Sequence, residues 1–247
     1  MDERKARWRT GDRDAVAQAP AWPEGERLTV ERCRAVFEEA PPFTLGLEEE
    51  LMLVEPDSLA LAPVNDEVLR LFGDDSPYRK ELRATQLEIV SPVCSTATEA
   101  SAALAAARER LATTLTGSVR LLASGTHPTS TDWGAVTADE RYEMLADEYE
   151  WATRRSVMCG LHVHVAVGGA ERTLAVYNAL RSYLPEIGAL TANSPYAEGR
   201  DTGLASIRAK LNEAFPRAGV PPTFGTWESY VSFLDWGRAG GLFPDPS

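Results

Sequence analysis

The sequence predicts an α+β fold, with a largely antiparallel sheet, helices packed on one face and the other face open. Three observations carry that expectation. Segments of period two and segments of helical period follow one another irregularly, so neither a regular parallel α/β alternation nor an all-β pattern fits. Three of the strand segments place apolar side chains on one face and paired polar groups on the other, as in a sheet covered on one side. The 247 residues are 44% hydrophobic and 25% charged, a globular balance with enough length to bury a substantial core.

The elements follow in order. Residues 1–26 are polar, contain Pro20 and Pro23, and are expected to form a flexible tail ahead of a domain spanning 27–247. "LTVERCRAVFEEA" (28–40) has helical spacing and stops at Pro41–Pro42. "FTLGLEEELMLVEP" (43–56) reads as a strand, and "PVNDEVLRLFG" (63–73) as a short helix closed by Gly73. "ELRATQLEIVSPV" (81–93) is the next strand. "STATEASAALAAARERLATTL" (95–115) is alanine-rich with cap residues at its start, hence a helix. A strand at 119–128, a helix at 138–155 and a strand at 157–167 come next. Helices are predicted at 171–184, 203–215 and 226–240, with a short helix and a polar loop over 185–203.

Side chains alternate across a strand, so parity sorts them. Phe43, Leu45, Leu47, Glu49, Leu51 and Leu53 share one face, and Glu48, Glu50, Met52 and Val54 the other. Gln86 and Glu88 share a face of the second strand. In "GLHVHVAV", Leu161, Val163, Val165 and Val167 are expected to serve the core while His162 and His164 point the opposite way. If the polar faces lie side by side, these groups converge. Carboxylates so gathered repel one another unless a cation compensates, and oxygen-rich sets with an imidazole suit Mg²⁺ or Mn²⁺. Each part alone also fits a solvated strand face or a satisfied histidine. "SGTHP" (124–128) reads as a turn, and Lys210 as a solvated helix charge. Arg200 and Arg208 have the chemistry to meet phosphate oxygens.

The net charge of −12 argues against a nucleic-acid partner. The first twenty residues have no apolar core of a signal peptide, and no apolar run reaches the length of a membrane span. Cys33, Cys94 and Cys159 lack metal-ligand spacing and read as free thiols, so a soluble cytoplasmic protein is expected. Neither a P-loop nor a dinucleotide-binding glycine pattern is present.

The ordered set "GLEEELMLVEP", "ELRATQLEIVSPV", "GTHP", "ERY", "CGLHVHV", "ANSP" and "DTGLASIR" resembles the type 2 glutamate–cysteine ligase family of carboxylate–amine ligases, from about Phe43 onward. The resemblance implies a glutamine synthetase-like catalytic domain whose open sheet face is the active site. It implies ATP-dependent joining of the γ-carboxylate of L-glutamate to the amine of L-cysteine or another amine, through a γ-glutamyl phosphate, with Mg²⁺ or Mn²⁺. By position it makes Glu48, Glu50, Glu88 and His162 catalytic groups and metal ligands. Glu81 is a further ligand candidate that needs a bend in its strand. Arg208 becomes a phosphate or substrate contact, His164 and Arg200 neighbours of the nucleotide, and Gln86 a group that orients a carboxylate. A homo-oligomer is compatible with it. The family continues into a "TLEVR"-like strand with a further carboxylate and arginine, which has no counterpart here, so the domain is expected to be shortened at its C-terminus. Two alternatives stay open: an inactive member that binds nucleotide or a partner subunit, and a metal-dependent hydrolase on the same Glu/His face.

Overall fold

The computed structural model describes residues 29–39, 41–73, 76–131, 134–139, 142–143, 146, 153, 157–215 and 218–240. The expected tail at 1–26 and most of the expected helix at 138–155 lie outside these residues. In chain order the elements are α1 (Val30–Glu39), β1 (Leu45–Val54), α2 (Asn65–Arg70), β2 (Tyr78–Lys80), β3 (Gln86–Val90), α3 (Ala97–Thr114), β4 (Arg120–Leu122) and β5 (Leu161–Val165). They continue with α4 (Ala170–Leu180), a 3₁₀ turn (Arg181–Tyr183), α5 (Leu184–Leu190), β6 (Tyr196–Ala197), β7 (Arg200–Asp201), α6 (Arg208–Asn212) and α7 (Trp227–Ala239).

β1 is the hub of an antiparallel sheet. On one side β3 pairs with it from Glu48↔Val90 to Met52↔Gln86, and β2 pairs with β3 beyond. On the other side β5 pairs along Leu45–Glu49 and β4 along Met52–Val54. The odd face of β1 behaves as parity requires. Leu51 and Leu53 are buried with Leu87 and Ile89 of β3 against Leu104, Ala107 and Leu111 of α3. Burial of these side chains supplies the main hydrophobic drive, about 1.5–3 kcal/mol for each large one. α3 is held in place at its start by Thr96, whose hydroxyl accepts from Glu99 N, while the Glu99 carboxylate accepts from Ser95 N.

Several expectations need correction. Strand 81–93 is shorter: Arg83–Thr85 turn, and the strand resumes only at Gln86. Asn65 explains the detour, because its buried amide bonds Arg83 O and Thr137 Oγ1 and draws the chain out of the ladder. Met52 and Val54 are not on an open face, since Val157 and Cys159 pack over them as a second small core. The apolar face of β5 is not buried: Leu161, Val163 and Val165 are each at least half exposed. β5 is an edge strand among the described residues, and α3 lies over β1 and β3 instead. Helix 203–215 contracts to α6, and the polar loop contains the β6–β7 hairpin. A third cluster, built from Cys33, Ala170, Leu174, Phe224, Trp227 and Val231, joins α1, α4 and α7. No helix among the described residues is long and apolar enough to cross a membrane.

Candidate active site

The register of the sheet brings the polar pairs together. Directly opposed residues of an antiparallel pair project to the same face. Glu50 lies opposite Glu88, and Glu48 opposite His162, so both pairings put these groups on the face away from α3. Glu49, between them in sequence, points the other way and meets Arg108 of α3, with Nε 3.0 Å from its carboxylate.

Glu48 is the shared acceptor. Its Oε2 lies 3.1 Å from His162 Nδ1 and 3.0 Å from His164 Nε2. Burial pushes its carboxyl up, but the bonds from His164 and His162 outweigh this and hold it below the usual carboxylate range. The other ring nitrogen of His162 lies 4.0 Å from Glu50, so the imidazole stands between two carboxylates. Glu50 accepts the Gly160 N–H at 2.7 Å. Burial and the neighbouring Glu81 charge raise its carboxyl. Glu88 is pushed up to about 7, by burial first and then by the charges of Glu48, Glu81 and Glu50.

Two sets of ligand atoms result, each within 4.8 Å: Glu48, His162 and His164, and Glu50, Glu88 and His162. His162 belongs to both. The donor chemistry fits a divalent cation, because three carboxylates repelling across one face lower their mutual energy when a positive charge sits among them. Oxygen and imidazole ligands suit Mg²⁺ or Mn²⁺.

The remaining predicted residues are placed as follows. Glu81 precedes the turn at the mouth of β3, where the bend its parity required is present. It stands beside Glu50 but outside both ligand sets, with Oε2 accepting Leu82 N at 2.8 Å. Gln86 is buried, and its amide nitrogen donates to Met158 O at 2.7 Å rather than to a carboxylate. Arg208 closes the site from α6: its guanidinium lies beside Gly160, and its Nε is buried with no partner. Arg200 lies exposed on β7, where it pairs with Ala197 of β6. His127 of "SGTHP" is structural, its Nδ1 accepting from Thr129 and Ser130 N–H and its Nε2 bonding Leu59 O. Lys210 pairs with Glu213 on the surface.

Sequence reasoning missed three things. Gly160 lets the Arg208 guanidinium approach the backbone, since a Cβ there would stand 2.8 Å from that guanidinium and 3.4 Å from His162. His164 is a ligand-range group in its own right. A latch of loops fixes the entry to α6: Asn193 Oδ1 accepts Gly125 N, Ser194 Oγ meets Ser206 Oγ at 2.7 Å, and Ile207 N bonds Ser194 O. The glycine before the histidine strand was the one visible signal for the first of these. A cleft of about 170 Å³ opens beside the carboxylates, lined by Glu50, Glu81, Leu82, Gln86, Met158, Asn212 and Phe215.

Against known proteins, the profile of glutamate-cysteine ligase family 2 matches residues 44–242. The chain belongs to this family. A member from Rubrobacter xylanophilus, named "Putative glutamate--cysteine ligase 2-3", is 40% identical over 212 residues, covering 83% of this chain and 58% of that protein. Members from Thermobifida fusca and Rhodospirillum rubrum, both named "Putative glutamate--cysteine ligase 2", are 37% identical over 208 residues and 36% over 215. These alignments cover 81% and 83% of this chain, and 52% and 55% of the relatives. The chain thus spans about half the length of these relatives. The glutamate–cysteine ligase match includes every strand of the main sheet and all of the groups gathered on its polar face.

Proposed function

We propose that this chain carries the nucleotide and metal floor of an ATP-dependent carboxylate–amine ligase, joining the γ-carboxylate of L-glutamate to the amine of L-cysteine. The observation that carries this reading is the convergence of Glu48, Glu50, Glu88, His162 and His164 on one sheet face in a member of this family. In the reaction, a γ-carboxylate oxygen bonds the terminal phosphorus of ATP as the bond to ADP breaks. The amine nitrogen then bonds the acyl carbon, the carbon–oxygen bond to phosphate breaks, and phosphate leaves with that electron pair. The nitrogen sheds its surplus protons to solvent.

Glu48, Glu50, Glu88, His162 and His164 would hold Mg²⁺ or Mn²⁺, which supplies positive charge for phosphate oxygens. Arg208 offers its unpartnered Nε and its guanidinium nitrogens to an anionic oxygen of either substrate. The chain needs no covalent nucleophile. Cys159 is buried against Met52 and Val54 on the same side of the sheet as these groups, and burial pushes it up to about 12. Catalysis here is positioning and charge neutralisation.

The test is ADP release measured with Mg²⁺, glutamate and cysteine together and with each omitted, alongside mass detection of γ-glutamylcysteine. Release that requires all of them is expected. Absence of release, both from this chain and from a version extended to the length of its relatives, would sink the reading. Hydrolysis of an ester or amide substrate without ATP would point to a hydrolase instead. A second reading is a member that binds Mg·ATP without turnover. A thermal shift with Mg·ATP but no ADP release identifies that case.

A further inference from the structure

The segment Ala170–Leu190 carries two apolar faces. α4, the 3₁₀ turn and α5 run on with helical backbone at Leu180, Arg181 and Leu184. Pro185 accounts for the tighter turn, because its nitrogen carries no hydrogen and Leu184 N bonds Arg181 O instead. One face is packed. Leu174 is buried in the cluster of α1, α4 and α7, and Tyr177, Asn178 and Arg181 donate to the carbonyls of Pro222, Phe224 and Pro221.

The other face carries Val176, Leu180, Tyr183, Ile187 and Leu190, exposed by 37, 49, 59, 43 and 87%. The steps between them are four, three, four and three residues. At about 100° per residue they fall within an arc of roughly 80°, turned away from Leu174. A repeat of about 3.5 residues is the seam against which a second helix packs at a shallow crossing angle. A helix that is apolar on opposite sides is one that is covered on both. α5 sharpens the point: it has no buried residue, and a helix of seven residues is not stable in water by itself.

Charge and area indicate the occupant. At a net charge of −12, two copies of the chain repel over most of their surface. The segment 170–190 is the exception, since Glu171, Arg172, Arg181 and Glu186 cancel, and Glu171 is already paired with Arg34. The five apolar side chains expose roughly 500 Å². Two such faces together bury about 1,000 Å², the size at which specific interfaces begin. Ala175 and Ala179, exposed beside the seam, are small enough to let a second helix come close.

We propose that this face is the interface of a homodimer, in which two Ala170–Leu190 segments pack antiparallel about a two-fold axis near Tyr183. Tyr183 is the midpoint of the seam, so this arrangement overlaps the two seams fully. It sets Tyr183 against the partner's Tyr183, Leu180 beside the partner's Ile187, and Val176 beside the partner's Leu190. The assignment does not depend on the ligase reading.

Sedimentation velocity over a concentration series up to about 200 µM tests it. The wild type is expected to dimerise with a Kd in the micromolar range. Leu180→Glu and Ile187→Glu put a charge on the seam, and each is expected to raise that Kd about a hundredfold with circular dichroism unchanged. Val163→Glu charges the exposed side of β5 and is expected to leave the Kd unaltered. The native cysteines Cys33, Cys94 and Cys159 are buried, so introduced thiols report on the seam. Under mild oxidation Tyr183→Cys is expected to link two copies, and Leu190→Cys is not. A wild type that stays monomeric throughout the series overturns the proposal, as does a Kd unmoved by both glutamates. Loss of the dimer in Val163→Glu overturns it by placing the contact on β5. Linking in Leu190→Cys but not in Tyr183→Cys overturns the antiparallel two-fold pairing.

Discussion

Glu48, Glu49 and Glu50 are chemically identical neighbours with separate environments, decided by the alternation of a strand. Glu48 accepts from two imidazoles, Glu50 from the Gly160 backbone, and Glu49 pairs with Arg108 beneath the sheet. Glu48→Gln should therefore weaken Mn²⁺ binding at least about tenfold with little effect on unfolding. Glu49→Gln should destabilise by about 1 kcal/mol and leave Mn²⁺ binding unchanged. Metal titration and urea unfolding of the two variants check this, and equal effects on both readouts would refute the facing assignment. Glu88 carries a pH signature. Its carboxyl is raised from 4.5 to about 7 in the fold, by burial and then by the charges of Glu48, Glu81 and Glu50. Between those values the native state binds more proton than the unfolded chain. The linked cost is thus absent below about pH 4.5, grows as pH rises, and is complete above about pH 7. In EDTA, the wild type should lose stability relative to Glu88→Gln between pH 4.5 and pH 8. Parallel unfolding curves would show that the carboxylates do not strain one another.

At the scale of elements, the site is an agreement between β1, β3, β5 and the start of α6. The strands set the carboxylates and imidazoles by register, and the loop latch of Asn193, Ser194 and Ser206 sets Arg208. Gly160 is where these two systems touch. Gly160→Ala would press a methyl group against the Arg208 guanidinium, the free end of a flexible side chain, which can swing aside at small cost. The variant should unfold within about 1 kcal/mol of the wild type while losing most of its Mg·ATP thermal shift. An unaltered shift would mean that Arg208 does not contribute to nucleotide binding. The elements themselves were legible to different degrees. α3 and β1 were plain, because an alanine-rich capped stretch and a ten-residue alternation both exceed the reach of local noise. The turn before β3 was not, because it depends on Asn65 reaching Arg83 from eighteen residues away.

For the whole molecule, the two larger hydrophobic clusters divide the work. The sheet and α3 form one, and α1, α4 and α7 form the other, with Phe37 against Trp227 at 5.0 Å between ring centres. The polar face of the sheet is left clear by the first cluster, since α3 takes only the odd side of β1. β5 departs from the expected balance. Parity correctly separated His162 and His164 from Leu161, Val163 and Val165, but it could not say whether anything covers the apolar side. Alternation reports which residues share a face, and burial depends on what else in the fold arrives there.

By itself, the sequence determined the strand faces, the separation of carboxylates and imidazoles from the α3 core, and the membership in the ligase family. These follow from periods of two and 3.6 residues and from motif order, which are local properties. Only the tertiary structure decided that Glu48 is shared by two histidines, that Gln86 anchors Met158, that Glu81 lines a cleft, and that Gly160 leaves room for Arg208. Each of those depends on register or on contacts between segments far apart in the chain, and no local pattern encodes such distances.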